Sequence, residues 1–185
     1  RMNLELGEMA YAQLRYPLAE KKFNAAQQAY ENASLTNDLG YIKTIANKGL
    51  LYASMGRYTQ AESFTAEALS LRRDKFGEKH YAVASSLNNY GVLQCNIGRY
   101  NEAEKSFMQA ASILTDNGAD ATMQRAIISN NQAMLYQAVG RYEEAEKVLL
   151  QAIATAEKLQ SSKSKNHLKF LSNLALLYQH TKKYK

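Results

Sequence analysis

The tripeptide Gly-Arg-Tyr stands at Gly56-Arg57-Tyr58, Gly98-Arg99-Tyr100 and Gly140-Arg141-Tyr142, each copy 42 residues from the last. A fixed period of this size means one supersecondary unit stacked repeatedly, each burying its apolar side against its neighbours. The register extends both ways, to Leu14-Arg15-Tyr16 and to Lys182-Lys183-Tyr184. Three residues after each Tyr an Ala recurs (Ala19, Ala61, Ala103, Ala145), followed by Glu20, Glu62, Glu104 and Glu146. Seven residues beyond that Ala stand Ala26, Ala68, Ala110 and Ala152.

In such a chain length counts units rather than domains. The 185 residues hold four full repeats and a partial fifth, read as one array over 1–185 with repeat pairs at about 1–37, 38–78, 79–118, 119–162 and 163–185. One proline and nine glycines leave no room for a long linker, and no apolar run approaches the ~20 residues of a membrane span. The chain opens on Arg1-Met2-Asn3-Leu4, almost inside a helix, and stops at Lys185 just as a second helix should begin. A piece of a longer protein is therefore expected. The single cysteine, Cys95, excludes an internal disulfide framework and agrees with a reducing, cytoplasmic setting. A formal charge of +6 permits nucleic-acid or acidic-peptide binding without demanding either.

One repeat can be read as physics. Leu87, Tyr90, Gly91, Gln94 and Gly98 share a helical face flanked by Leu93 and Ile97, which predicts a helix over about His80–Ile97. Gly98 then supplies the left-handed geometry that ends it. Tyr100 opens a second helix, with Ala103, Phe107, Ala110 and Ile113 at three- and four-residue spacing. The small residues let antiparallel helices approach, and Phe107 fills the gap. Pro17 is tolerated because it falls in a first turn. Across the chain the register predicts nine helices and no strand, with turns centred on 14–16, 35–38, 56–57, 76–79, 98–99, 116–120, 140–141 and 161–165. The last helix, about Lys165 to Thr181, should leave Leu171, Leu174, Ala175 and Tyr178 partly uncovered, inviting end-to-end self-association.

These columns resemble the tetratricopeptide repeat over the whole chain. A small residue in each first helix (Gly7, Gly49, Gly91, Ala133, Ala175) and a Tyr three later (Tyr52, Tyr136, Tyr178) precede the turn, and the Ala columns follow. The usual unit has 34 residues; the extra eight add about 12 Å of helix if helical. The 42-residue variety is similar to that of kinesin light chains, as is the connection from Leu71 to Asn89, although Tyr81 stands where that family has Pro. The resemblance implies an all-α, right-handed superhelical solenoid of antiparallel helix pairs, with first helices lining a concave groove that holds an extended protein or peptide segment. It does not carry kinesin association with it.

On that expectation the groove rows are Lys43, Asn47, Leu50 and Ser54; Ser85, Asn89, Val92 and Asn96; Ile127, Asn131, Met134 and Ala138; and Lys169, Asn173, Leu176 and His180. Asn47, Asn89, Asn131 and Asn173 form a ladder, with Asn88 and Asn130 beside it. An exposed Asn is a poor helix former. Its amide donates and accepts, which suits it to gripping a peptide backbone without reading its sequence. Leu50, Val92, Met134 and Leu176 offer an apolar track. The rival reading is that the ladder serves helix packing or simply reflects duplication. The carboxylate clamp of the chaperone-binding relatives is missing, since no Arg joins Lys43 or Lys169. Lys43 and Lys169, helped by Arg125 and Lys165, favour an acidic or mixed acidic-apolar peptide.

Catalytic signals are absent from the sequence. His80, His167 and His180 lack metal-ligand spacing, so no metal and no cofactor is expected. Cys95 has no His in its row and reads as an inert thiol. Glu102, Glu104, Glu143, Glu144 and Glu146, with Lys105 and Lys147, read as solvated first turns of second helices. The leading reading is therefore a non-enzymatic interaction scaffold, away from membranes. The alternatives are a regulatory array within a larger signalling enzyme or transcription regulator, and a helical-repeat RNA binder. The RNA reading rests on charge alone and is opposed by the apolar track.

Overall fold

The structure, a computed structural model, describes residues 2–114, 118–159 and 164–181. Among them every regular element is helical: α1 (Met2–Ala12), α2 (Tyr16–Asn32), α3 (Leu39–Ser54), α4 (Tyr58–Phe76), α5 (Tyr81–Asn96), α6 (Tyr100–Leu114), α7 (Gly118–Ala138), α8 (Tyr142–Lys158) and α9 (Lys165–Thr181). The expected nine helices are thus found, with α5 within a residue of the predicted ends. One boundary differs. A turn over 116–120 was expected, but α7 is already helical at Gly118, and residues 115–117 lie outside the described part, as do residues 161–163 of the last predicted turn.

The turn chemistry follows the register. Gly56 takes φ +71°, the Gly56 N–H donates to Ala53 O at 3.1 Å and the Arg57 N–H to Tyr52 O at 2.9 Å. That pair of bonds satisfies the carbonyls left open at a helix end, and the positive φ is why glycine recurs there. Leu14 occupies the same column in the first turn with φ 59°, and the Arg15 N–H closes on Ala10 O at 2.9 Å. The motif's geometry therefore survives without its glycine, at a cost in strain.

The residues group into two compact units, 1–93 and 94–185. In the first unit Phe23 of α2 is buried beside Leu4, Ala10, Ala19, Ala26 and Leu51. A Cβ on Gly7 would lie 2.5 Å from the Phe23 ring, and one on Gly49 would lie 2.6 Å from the Thr65 hydroxyl. The small-residue column is thus what lets paired helices touch. Tyr41, Ile45 and Ala68 form a second cluster with Tyr30, Phe64 and Leu71 packed on it. In the second unit Ala126, Ala152, Ile153, Ala156 and Phe170 make the corresponding core.

The Glu column has a role that its reading as a solvated helix start did not anticipate. In the first unit Glu20 accepts from the Tyr52 hydroxyl at 3.0 Å and from Arg57 at 2.9 Å, while the Arg57 guanidinium sits 4.6 Å above the Tyr52 ring. In the second, Glu104 accepts from Arg141 at 2.9 Å, with that guanidinium 4.3 Å above Tyr136, and Glu146 accepts from Tyr178 at 2.8 Å. Arg, Tyr and Glu from successive repeats thus form one charge-assisted clasp. Glu104 and Glu146 are tied across a repeat boundary rather than simply solvated.

Candidate functional site

The first helices α3, α5, α7 and α9 each place one side chain of the row outward and the next one inward. Leu50, Val92, Met134 and Leu176 are 37, 37, 52 and 53% exposed, whereas the adjoining Leu51, Leu93, Leu135 and Leu177 are 0, 2, 2 and 1% exposed. About 100° of helix rotation separates such neighbours, enough to carry one into the core and leave the other on the face. Each unit thus presents two exposed apolar residues of this column, Leu50 and Val92 in the first and Met134 and Leu176 in the second.

In the first unit, Leu50 of α3 and Asn89 of α5 line a common crevice with Ala46, Arg72 and Ser86. Ser85 and Asn89 are half-buried beside Val92, while Asn88 is buried. Arg72 had not been singled out from the sequence. It donates to the Ser86 hydroxyl at 2.6 Å, and burial pushes its pKa below the usual arginine value. Its signal was faint, because it falls near the end of a second helix, outside the first-helix rows. Lys43 is not the free groove cation expected of it. Its ammonium lies 2.8 Å from Glu8 Oε1, and Asn47 donates to the same oxygen at 2.8 Å. Glu8, one repeat before Leu50 in register, neutralises this end of the row. Ser54 shares a 2.9 Å hydrogen bond with the Tyr11 hydroxyl.

The second unit changes the reading of the asparagines further. Asn130 is fully buried and Asn131 is only 8% exposed. Asn173 Nδ2 donates to Asn130 Oδ1 at 2.7 Å, and Asn130 Nδ2 to Asn131 Oδ1 at 3.4 Å. Asn131 is therefore not an exposed amide, and with Asn88 and Asn130 it lies in the helix packing; Asn89 and Asn173 are half-buried. Buried amides must be paired, and these pair with each other. Asn96, Lys169 and His180 are exposed, as are Met134 and Leu176. Arg125 does not join them: it lines a crevice between α7 and α8 with Ser129 and Thr155, on the far side of α7 from Asn131 and Met134. On α9, Leu171 and Ala175 are exposed, Leu174 and Tyr178 half-buried.

Cys95 is half-buried, and burial pushes its thiol up to about 11, so it is protonated at neutral pH. Among the described residues no three His, Cys, Asp or Glu side chains come together as a metal site, and no helix is long and apolar enough to cross a membrane.

Comparison with known proteins bears on the fold. No curated protein matches the chain. Of solved structures, BtubC (BKLC) from P. vanneervenii shares 18% identity with a TM-score of 0.75, over 95% of this chain and 70% of that one. The nearly identical TPR-like repeats of a Podosopora anserina protein assigned as a kinesin light chain give 17% identity and a TM-score of 0.78, over 99% and 86%. A Rap protein complexed with competence and sporulation factor gives 18% identity and a TM-score of 0.79, over 98% of this chain and 52% of its own length. At these identities the likeness shows the fold alone. The tetratricopeptide repeat family model matches residues 1–74, 41–116 and 124–185. The chain belongs to the tetratricopeptide repeat family.

Proposed function

We propose that the chain is a protein-interaction module whose first-helix faces, in each unit, bind an extended segment of a partner protein. The observation that carries the reading is the exposed column Leu50, Val92, Met134 and Leu176 beside the buried column Leu51, Leu93, Leu135 and Leu177. Apolar side chains held outward on rigid helices can receive the side chains of a peptide, and Asn89, half-buried beside them, can meet its backbone. Lys43 is already paired with Glu8, so an acidic partner would find its cations in the second unit, at Lys165 and Lys169. The partner segment is therefore apolar first and acidic second.

A related reading makes the chain the ligand-sensing part of a larger regulator. It is favoured by the likeness to the Rap protein complexed with competence and sporulation factor, of which the matched part is 52%. Both readings place the ligand on the same faces. The test is to select binders from a random-peptide display library and to measure their affinity for Val92→Asp and Met134→Asp variants. Loss of at least tenfold with unchanged helicity supports the docking face. Undiminished affinity in both variants removes it.

A further inference from the structure

The repeat register marks one place where this chain abandons its own pattern. In the second repeat, Tyr41, Ile45 and Leu71 pack around Ala68 between α3 and α4. Forty-two residues on, the same positions are Val83, Leu87 and Ile113, with Val83 and Leu87 buried. Another 42 residues on they are Arg125, Ser129 and Thr155, around an unchanged Ala152. In the three repeats that hold all three positions, they turn polar together only here, although Asn3 and His167 depart singly from the same columns.

The geometry at that spot differs accordingly. Where the second repeat is filled, α7 and α8 of the second unit leave an open crevice of about 420 Å³, within the size range of small-molecule sites. Arg125, Thr122 and Ser129 line it from α7, Gln151 and Thr155 from α8, and Ala126 and Ala152 form its apolar floor. The lining brings together one guanidinium, the Ser129 hydroxyl and the Gln151 carboxamide, while the Thr155 hydroxyl donates to the Gln151 carbonyl at 2.8 Å and keeps its oxygen as an acceptor. A guanidinium presents parallel N–H donors that match a carboxylate or phosphate, and hydroxyl and amide groups suit a polar body attached to it. Drift in a surface position would replace one column. Replacing all three, on two helices, with groups able to hydrogen-bond inward is what a binding site requires.

We infer that this crevice binds a small polar molecule carrying one carboxylate or phosphate group, with Arg125 on the anion and Ser129, Gln151 and Thr155 on the body. The site lies on the other side of α7, its Arg125 and Ser129 about 120–180° around the helix from Asn131 and Met134. It is thus separate from the peptide face and does not depend on it.

The test is an NMR titration of the folded chain with three probes: inorganic phosphate, glucose 6-phosphate and N-acetylglutamine. Saturable shifts of the Arg125 Nε–H and of the Ser129, Gln151 and Thr155 amides are expected with at least one organic probe. Which one responds distinguishes a phosphate monoester from a carboxylate. Two variants decide specificity. Arg125→Gln removes the cation at an exposed position, and Ser129→Ile with Thr155→Leu rebuilds the filled pattern of the second repeat while keeping Arg125. Each should weaken binding at least tenfold, with Val92→Asp leaving it unchanged. Absence of saturable shifts with all probes, shifts spread evenly over the lysines and arginines, or undiminished binding in Arg125→Gln or in a folded filled variant overturns the site.

Discussion

Replacing Asn130 by Ala tests how the second unit uses its asparagines. The side chain is fully buried and makes two hydrogen bonds, receiving one from Asn173 at 2.7 Å and donating one to Asn131 at 3.4 Å. The short bond contributes about 1 kcal/mol and the long one less, and the void left by the carboxamide adds a little more. Alanine's better helix propensity returns roughly 0.6 kcal/mol. The expected net loss is about 1–2 kcal/mol. Asn173→Ala should cost a similar amount, because it leaves the buried Asn130 carbonyl without its strongest donor. If the two side chains act through their shared bond, the double variant should lose less than the sum, by about 0.5–1.5 kcal/mol. Urea unfolding followed by helical circular dichroism measures all three, with Asn89→Ala as a control that should change stability by less than about 0.5 kcal/mol. A coupling energy within experimental error of zero, or an Asn130→Ala variant as stable as the parent, would refute the reasoning.

Two further outcomes follow from named positions. Leu14 holds φ 59° in the turn column that carries glycine at Gly56, Gly98 and Gly140 and is largely exposed, so Leu14→Gly should stabilise the chain by about 0.5–1 kcal/mol, after subtracting glycine's greater freedom in the unfolded state; a lower melting temperature counts against the strain argument. The Tyr41 hydroxyl is pushed up to about 12 by burial and by the Glu67 and Glu31 carboxylates beside it. Its folded pKa lies above the unfolded value, so its contribution is whole below pH 10 and is lost as pH rises from 10 to 12. Tyr41→Phe should flatten that alkaline loss, and an unchanged alkaline profile in the variant would contradict the assignment.

The helices were legible because their punctuation recurs. Gly56, Gly98 and Gly140 mark ends that backbone geometry alone requires, and the small residues Gly7 and Gly49 mark helix contacts that any larger side chain would block. The family followed from the same columns. The fate of individual polar residues was not legible. Asn131 and Asn130 sit at the edge of a helical stripe, where a shift of a few degrees decides between groove and packing, and only the arrival of Asn173 from 43 residues away settles it. Lys43 looked free because its partner Glu8 belongs to another helix. Glu20 and Glu104 recur visibly, yet their bonds to Arg57 and Arg141 span 37 residues, beyond any local pattern. Arg125 was misplaced for a different reason: attention to recurring columns hides the one repeat that departs from them.

Docking of a partner segment on the outward apolar column of the first helices can be read at the side chains themselves, by methyl-resolved NMR of the chain titrated with a display-selected peptide. The neighbouring inward column is the internal control. Saturable shifts are expected at the methyls of Leu50 and Val92, or of Met134 and Leu176, with much smaller changes at Leu51, Leu93, Leu135 and Leu177, which face the core. Shifts concentrated on α2, α4, α6 and α8 while the outward column stays unmoved would contradict it.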